Sequence, residues 1–305
     1  MATVARYRPE NIGDWGVPTA VPGGAYGTAS YAAEGDLNIF YRFWRAAGPH
    51  APVLVIIHGL GAHTGWFIHM GNELNALGLT VYMDDHRGFG RSDGLRGHVR
   101  DGSVYLRDLN RFLDEVRKRE PGAPITILGH SMGGIFATYL AAEDATSNRN
   151  QLAGLILANP WIADTVKVAP MTLISGIVNG IRGSDRLVPI PVNTTGMTLV
   201  PEATELLNAD SYWVRNQTAS FLYQLSRMRL GVLKRAALVR APALVIQCEK
   251  DGSVSPAATR RCYEQLGSSD KTWKTYPDFA HDFEFEPGRT VLDSDIADWI
   301  MRHRV

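Results

Sequence analysis

The chain has 305 residues, 45% hydrophobic and 20% charged, with 31 Lys and Arg against 31 Asp and Glu. A formal charge of zero and the lack of any polybasic run argue against a nucleic-acid or anionic-membrane partner. Two cysteines, Cys248 and Cys262, are too few for a disulfide framework, and no His/Cys cluster has zinc-ligand spacing. Free buried thiols in a reducing compartment, and no metal, are expected.

The N-terminal sequence has no apolar stretch of signal-peptide type, and no segment reaches the roughly 18 apolar residues of a membrane span. Val168 to Ile181 is the longest candidate and is broken by Pro170, Gly176 and Gly180. The expectation is a cytoplasmic protein. Residues 1–30, rich in Gly and Pro, read as an extended arm without helix or strand. Regular patterning begins at Leu37. LNIFYRFW and PVLVIIH read as strands, a helix includes residues 72–77, and LTVYMD is a third strand. From Ser103 a helix follows, with Val104, Leu106, Leu109, Phe112, Leu113 and Val116 near a 3.6-residue period. ITIL (strand), MGGIFATYLAAE (helix) and LAGLILA (strand) come next.

Short apolar strands alternating with helices predict an α/β fold, a mostly parallel central sheet flanked by helices. The alternation stops at Asn159-Pro160 and resumes at PALVIQC, followed by a helix at 257–266, the strand KTWKTY and a helix at 290–302. Residues 31–160 and 241–305 then form the core, and 161–240 a helical cap over the sheet's C-terminal edge.

Two segments match G-x-S-x-G, around Ser92 and Ser131. The motif makes a nucleophile only on a sharp strand-to-helix turn. Ser131 has ITIL before it and an apolar helix after it; Ser92 is separated from its strand by seven loop residues. Ser131 is therefore the candidate nucleophile. A serine hydroxyl needs a base, and in this fold the order is Ser, acid, His. Only His281 and His303 follow Ser131, and His281 lies in the loop between the last strand and the last helix. Asp251, just past PALVIQC, is the candidate acid, ahead of Glu249, Asp278 and Asp282. The Gly-rich turn His58-Gly59-Leu60-Gly61 offers Leu60 N–H, with Met132 N–H, as oxyanion donors. His58 reads as a residue holding the turn.

His58-Gly59-Leu60-Gly61, the segment Asp85 to Ser92, and Gly129 to Gly134 together resemble the monoacylglycerol lipase and lysophospholipase group of α/β-hydrolases. The resemblance covers residues 35–160 well, 240–302 moderately and the cap poorly. It implies Ser131, Asp251 and His281 as triad, Leu60 and Met132 at the oxyanion hole, a structural turn at Asp85–Ser92, and no cofactor. It implies ester hydrolysis more firmly than monoacylglycerol as substrate.

Met171, Ile174, Ile177 and Val178 of the cap, with Trp66, Phe67, Trp161 and Trp213, are the candidate lining for an acyl chain. Each buried methylene favours binding by about 0.8 kcal/mol. A small ester or lipid substrate is expected, with transient membrane or micelle contact through the cap. Oligomeric state is open. The competing readings are a thioesterase, amidase, peptidase, C–C hydrolase or acyltransferase on the same triad, and a non-catalytic binding protein.

Overall fold

The computed structural model describes residues 16–163, 180–189 and 196–304. Its centre is an eight-stranded sheet in the order β1-β2-β4-β3-β5-β6-β9-β10. The strands are β1 (Ala25–Ala32), β2 (Asn38–Arg45), β3 (Val53–Ile57), β4 (Thr80–Asp84), β5 (Ile125–His130), β6 (Leu152–Ala158), β9 (Ala243–Cys248) and β10 (Lys271–Tyr276). β1 and β2 run antiparallel, and every pairing from β4 to β10 is parallel. β3, β4, β5 and β9 are buried along their whole length. Their near-continuous apolar sequences are those of strands covered on both faces.

Helices α1 (Ile68–Ala76), α2 (Ser103–Arg119) and α3 (Met132–Ser147) follow β3, β4 and β5. α2 is amphipathic as its period requires. Val104, Leu109, Phe112, Leu113 and Val116 are buried, while Arg117, Lys118 and Arg119 occupy the last turn, where cations complement the helix dipole. α3 is apolar on nearly every side through its first three turns, because it lies between the sheet and other helices. Three further helices, Pro201–Ala209, Pro256–Gln265 and Thr290–Arg302, open without a strong charge pattern; the first two carry proline in their first turn.

The arm expected over residues 1–30 needs correction. Ala25–Ala32 is a strand, paired with β2 over eight residues from Ala25 opposite Arg45 to Ala32 opposite Asn38. Its sequence, AYGTASYA, gives little signal because the strand forms the sheet's edge and only Tyr31 near its end is buried. Tyr31 stacks on Phe112 and donates to Asp84 Oδ2 at 3.1 Å. Residues before the strand are tied to α1. Asn72 Oδ1 accepts from Thr19 N, its Nδ2 donates to Val17 O, and Asn75 Oδ1 accepts from Val21 N.

Between β6 and β9 the described residues contain the helix Pro201–Ala209, the helix Ala219–Ala236, and a separate antiparallel pair, β7 (Leu187–Pro189) with β8 (Asn216–Thr218). The helix Ala219–Ala236 lies beside α3, with Tyr139 Oη donating to Met228 O at 2.9 Å. Its Leu225, Val232 and Ala236 are buried in the same cluster as Ile135 and Leu140 of α3. The chain thus rejoins the core layer well before residue 240. Cys248 and Cys262 are free and buried, and burial pushes both thiols up to about 12. Among the described residues no helix is long and apolar enough to cross a membrane.

Candidate active site

Ser131 stands between the last residue of β5 and the first of α3, with φ +52° and ψ −118°. A side chain at positive φ is strained, at a cost on the order of 1–3 kcal/mol. The surroundings hold it there: Ser131 N donates to Ala158 O at 3.1 Å, and its carbonyl accepts from Trp161 N at 2.9 Å. The turn also demands a close helix approach. A methyl group on Gly133 would overlap the Ile57 carbonyl oxygen at the end of β3. Gly133→Ala is expected to destabilise the protein by about 1–3 kcal/mol through overpacking, read as a lower urea midpoint at an unchanged slope.

The histidine loop and the acid loop meet at the same edge. His281 Nδ1 lies 2.7 Å from Asp251 Oδ2. Asp251 Oδ1 accepts from Ser253 N at 2.8 Å and Val254 N at 3.0 Å. A carboxylate with two backbone donors can only accept, so Nδ1 of His281 carries the proton and Nε2 keeps its lone pair. Burial opposes the charge on Asp251, but His281 and the backbone donors outweigh it and hold the carboxyl below the ordinary range. Burial likewise opposes the imidazolium of His281, yet the Asp251 carboxylate and its hydrogen bond raise its pKa. Among the described residues, Ser131 makes no hydrogen bond with His281; such contacts often tighten only once substrate is bound.

The competing residues are otherwise engaged. Ser92 accepts from Phe40 N and donates to Asp85 O, which makes it part of a turn. Asp278 is exposed and paired with Lys250. Glu249 is exposed. His303 sits at the end of the last helix, bonded to Trp299 O and Asp270. Asp282 is buried, and burial pushes its carboxyl up to about 7.

The turn after β3 abuts Ser131: a methyl on Gly59 would lie 3.1 Å from Ser131 Cβ. His58 Nδ1 donates to Gly59 O at 2.8 Å, while its Nε2 accepts from His86 N at 3.1 Å. The Gly59 carbonyl and the Leu60 N–H share one planar trans peptide and point in opposite directions. By holding the carbonyl, His58 fixes the direction of the Leu60 N–H. Burial and the neighbouring His86 keep the His58 pKa well below the ordinary imidazole value, so the ring stays neutral. Met132 N–H belongs to the first turn of α3, where the helix leaves its donors free for an oxyanion.

Sequence reasoning missed two supports. Asn159, at φ +43°, donates from Nδ2 to His281 O at 2.8 Å and accepts from Cys248 N at 2.8 Å. His130 Nε2 bonds the same His281 carbonyl at 3.0 Å. A lone Asn at a strand end carries no pattern that marks such a role.

The expected pocket residues divide. Trp66 and Phe67 are 1% and 0% exposed. Both belong to the buried apolar cluster that also holds Trp213 and Phe285. Trp66 donates to Asp210 Oδ2, and Phe67 meets the His130 ring edge-on. Trp213 is nearly buried on the Gly59–Gly61 turn, with the Arg215 guanidinium 4.3 Å over its ring. Trp161 is half-buried beside Ser131, under Arg229. Met171, Ile174, Ile177 and Val178 lie outside the described residues.

A mostly parallel sheet of this order, with a serine on the turn after its central strand and a His–Asp pair at the same edge, defines the α/β-hydrolase class. The family model described as serine aminopeptidase, S33, matches residues 48–288, and the chain belongs to that family. The monoacylglycerol lipase of Mycolicibacterium smegmatis is 30% identical over 280 residues, covering 90% of this chain and 96% of that protein. The monoglyceride lipase of Mus musculus is 29% identical over 246 residues, 80% of this chain and 79% of that one. Among solved structures, a soluble variant of monoglyceride lipase from Saccharomyces cerevisiae, in complex with a substrate analogue, matches with a TM-score of 0.80. It covers 94% of this chain and 96% of that one at 21% identity.

Proposed function

We propose that this protein is a serine carboxylic-ester hydrolase that cleaves monoacylglycerols and similar small acyl esters, acting in the cytoplasm. The observation that carries the chemistry is the strained Ser131 turn at the same sheet edge as the His281–Asp251 pair. Similarity over nine-tenths of the chain to a monoacylglycerol lipase supports the substrate class. Ser131 Oγ attacks the ester carbonyl while His281 Nε2 takes its proton. The oxyanion is held by Leu60 N–H and Met132 N–H. The imidazolium, stabilised by Asp251, returns the proton to the leaving alcohol, and water then hydrolyses the acyl-enzyme by the same relay.

The test is hydrolysis of p-nitrophenyl esters from C2 to C16 and of a monoacylglycerol, with an aminoacyl p-nitroanilide alongside. Glycerol and fatty acid released from the monoacylglycerol support the reading. Activity on the anilide alone would transfer the site to peptide bonds, the reaction that the family's description names.

The pH profile follows from His281. The base works only when neutral, and its pKa in the folded protein is raised. The acid limb of kcat/KM is therefore expected to have its midpoint above the ordinary imidazole value of about 6.5. Activity should be lost as pH falls through that midpoint and be full above it. A midpoint below that value would contradict the Asp251 pairing.

A further inference from the structure

The cap and the oxyanion turn are joined by a buried polar contact outside the catalytic machinery. Asp210 follows the cap helix Pro201–Ala209 and is 1% exposed. Its Oδ2 lies 2.8 Å from His63 Nε2 and accepts from Trp66 Nε1 at 2.7 Å, while Oδ1 accepts from Tyr212 N at 2.8 Å. His63 Nδ1 accepts from Gly65 N at 3.0 Å, so its proton is on Nε2 and points to Asp210. Every partner of the Asp210 side chain is an N–H donor, a set that only a carboxylate satisfies at both oxygens.

His63 stands three residues after Leu60. The next backbone N–H, of Thr64, is held by Asp85 Oδ1 at 2.6 Å, which anchors that end of the turn to the core. The cap reaches the turn a second time: Val214 N donates to Gly61 O at 3.1 Å. Gly61 sits at φ +79°, and a methyl there would come within 2.6 Å of Trp213 Nε1. Cap residues 210–214 thus grip both Gly61 and His63.

We infer that Asp210 is a positioning residue for the oxyanion hole: acting through His63, it fixes where the Leu60 N–H sits, so that the placement of the cap sets the rate of the chemical step. The inference rests on the proposed ester hydrolysis. Burial opposes the charge on Asp210, but its contacts to His63, Trp66 and Tyr212 N hold the carboxyl below the ordinary range. A fixed negative charge therefore stays on the cap side of the contact throughout the working pH range. A turn displaced by a fraction of an ångström weakens an oxyanion donor without touching the acyl chain, so the loss belongs in kcat and not in KM.

Two substitutions at His63 separate this role from a local one. In His63→Asn the amide oxygen takes the place of Nδ1 and keeps the bond from Gly65 N, but the side chain cannot reach Asp210. In His63→Gln the amide nitrogen takes the place of Nε2 and keeps the bond to Asp210. Both are assayed beside wild type on p-nitrophenyl decanoate, with active sites counted by fluorophosphonate titration so that only folded enzyme enters kcat. His63→Asn is expected to lose about ten- to a hundredfold in kcat with KM within about threefold. Inhibition by a decyl trifluoromethyl ketone, which mimics the oxyanion, should weaken by a similar factor. His63→Gln should stay within about threefold of wild type. Unchanged kcat in His63→Asn, a change in KM alone, or equal losses in both variants would overturn the inference. A wild type inert on every ester would instead overturn the parent reading, and this inference with it.

Discussion

Ser131→Ala is expected to lower turnover on a p-nitrophenyl ester or a monoacylglycerol by about 10⁶, the typical effect of removing a nucleophilic serine. The expected loss is this large because in the proposed mechanism the serine acts as one unit with its base, and none of its neighbours at the strand–helix turn offers a nucleophile. Met132 and Gly133 follow it and His130 precedes it, and His130 is committed through Nε2 to the His281 carbonyl. Burial drives the His130 pKa down to about 3, so its ring is neutral and no proton source for the reaction. The fold should survive, since alanine occupies the same backbone and loses only a hydroxyl. The measurement is steady-state turnover together with a thermal melt. Retention of more than about one part in 10³ of the activity, with an intact melt, would place the nucleophile elsewhere.

Asp251→Asn is the second large effect, with an expected loss of about 10⁴ in kcat. The carboxylate accepts from Ser253 N, Val254 N and His281 Nδ1 at once. An asparagine keeps an acceptor for the two backbone donors only by turning its NH₂ toward His281. That makes Nδ1 the acceptor, moves the imidazole proton to Nε2, and removes the lone pair that Ser131 needs. Loss of the carboxylate also removes the main influence that opposes burial at His281, leaving only Asp282 against it, which lowers the His281 pKa. The residual activity should therefore show its acid limb displaced to lower pH than in wild type. Asp251→Ala is expected to be the less damaging change to tautomer choice, because it leaves Nδ1 without a forced donor. An Asp251→Asn enzyme with wild-type kcat would remove Asp251 from the mechanism and direct attention to Asp282, the buried acid next to His281 in the histidine loop.

How much of this was legible in the sequence depended on whether the signal was local. The parallel strands announce themselves because burial on both faces leaves room only for apolar side chains, as in Val53–Ile57 and Ala243–Cys248. The strand–G-x-S-x-G–helix succession around Ser131 is also local, and it was enough to separate Ser131 from Ser92. β1 was not legible, since an edge strand with one exposed face tolerates Gly, Ala, Ser and Thr, and its pairing partner lies several residues away across a turn. The burial of Trp66 and Phe67 was not legible either, because a sequence shows that an aromatic side chain is apolar, not which side of a layer it faces.

By itself, then, the sequence determined the layered α/β architecture and the chemical types available at the sheet's edge, because periodicity and turn chemistry act over a few residues. The tertiary structure alone decided which distant groups meet. His281 and Asp251 come together from loops 30 residues apart. Asn159 joins the ends of β6 and β9 to the histidine loop. His63 finds Asp210 across 147 residues. Each of these is a directional hydrogen bond between buried groups, stable only where folding has excluded water and fixed both partners to within a few tenths of an ångström, and no pattern of residue types along a chain encodes that distance.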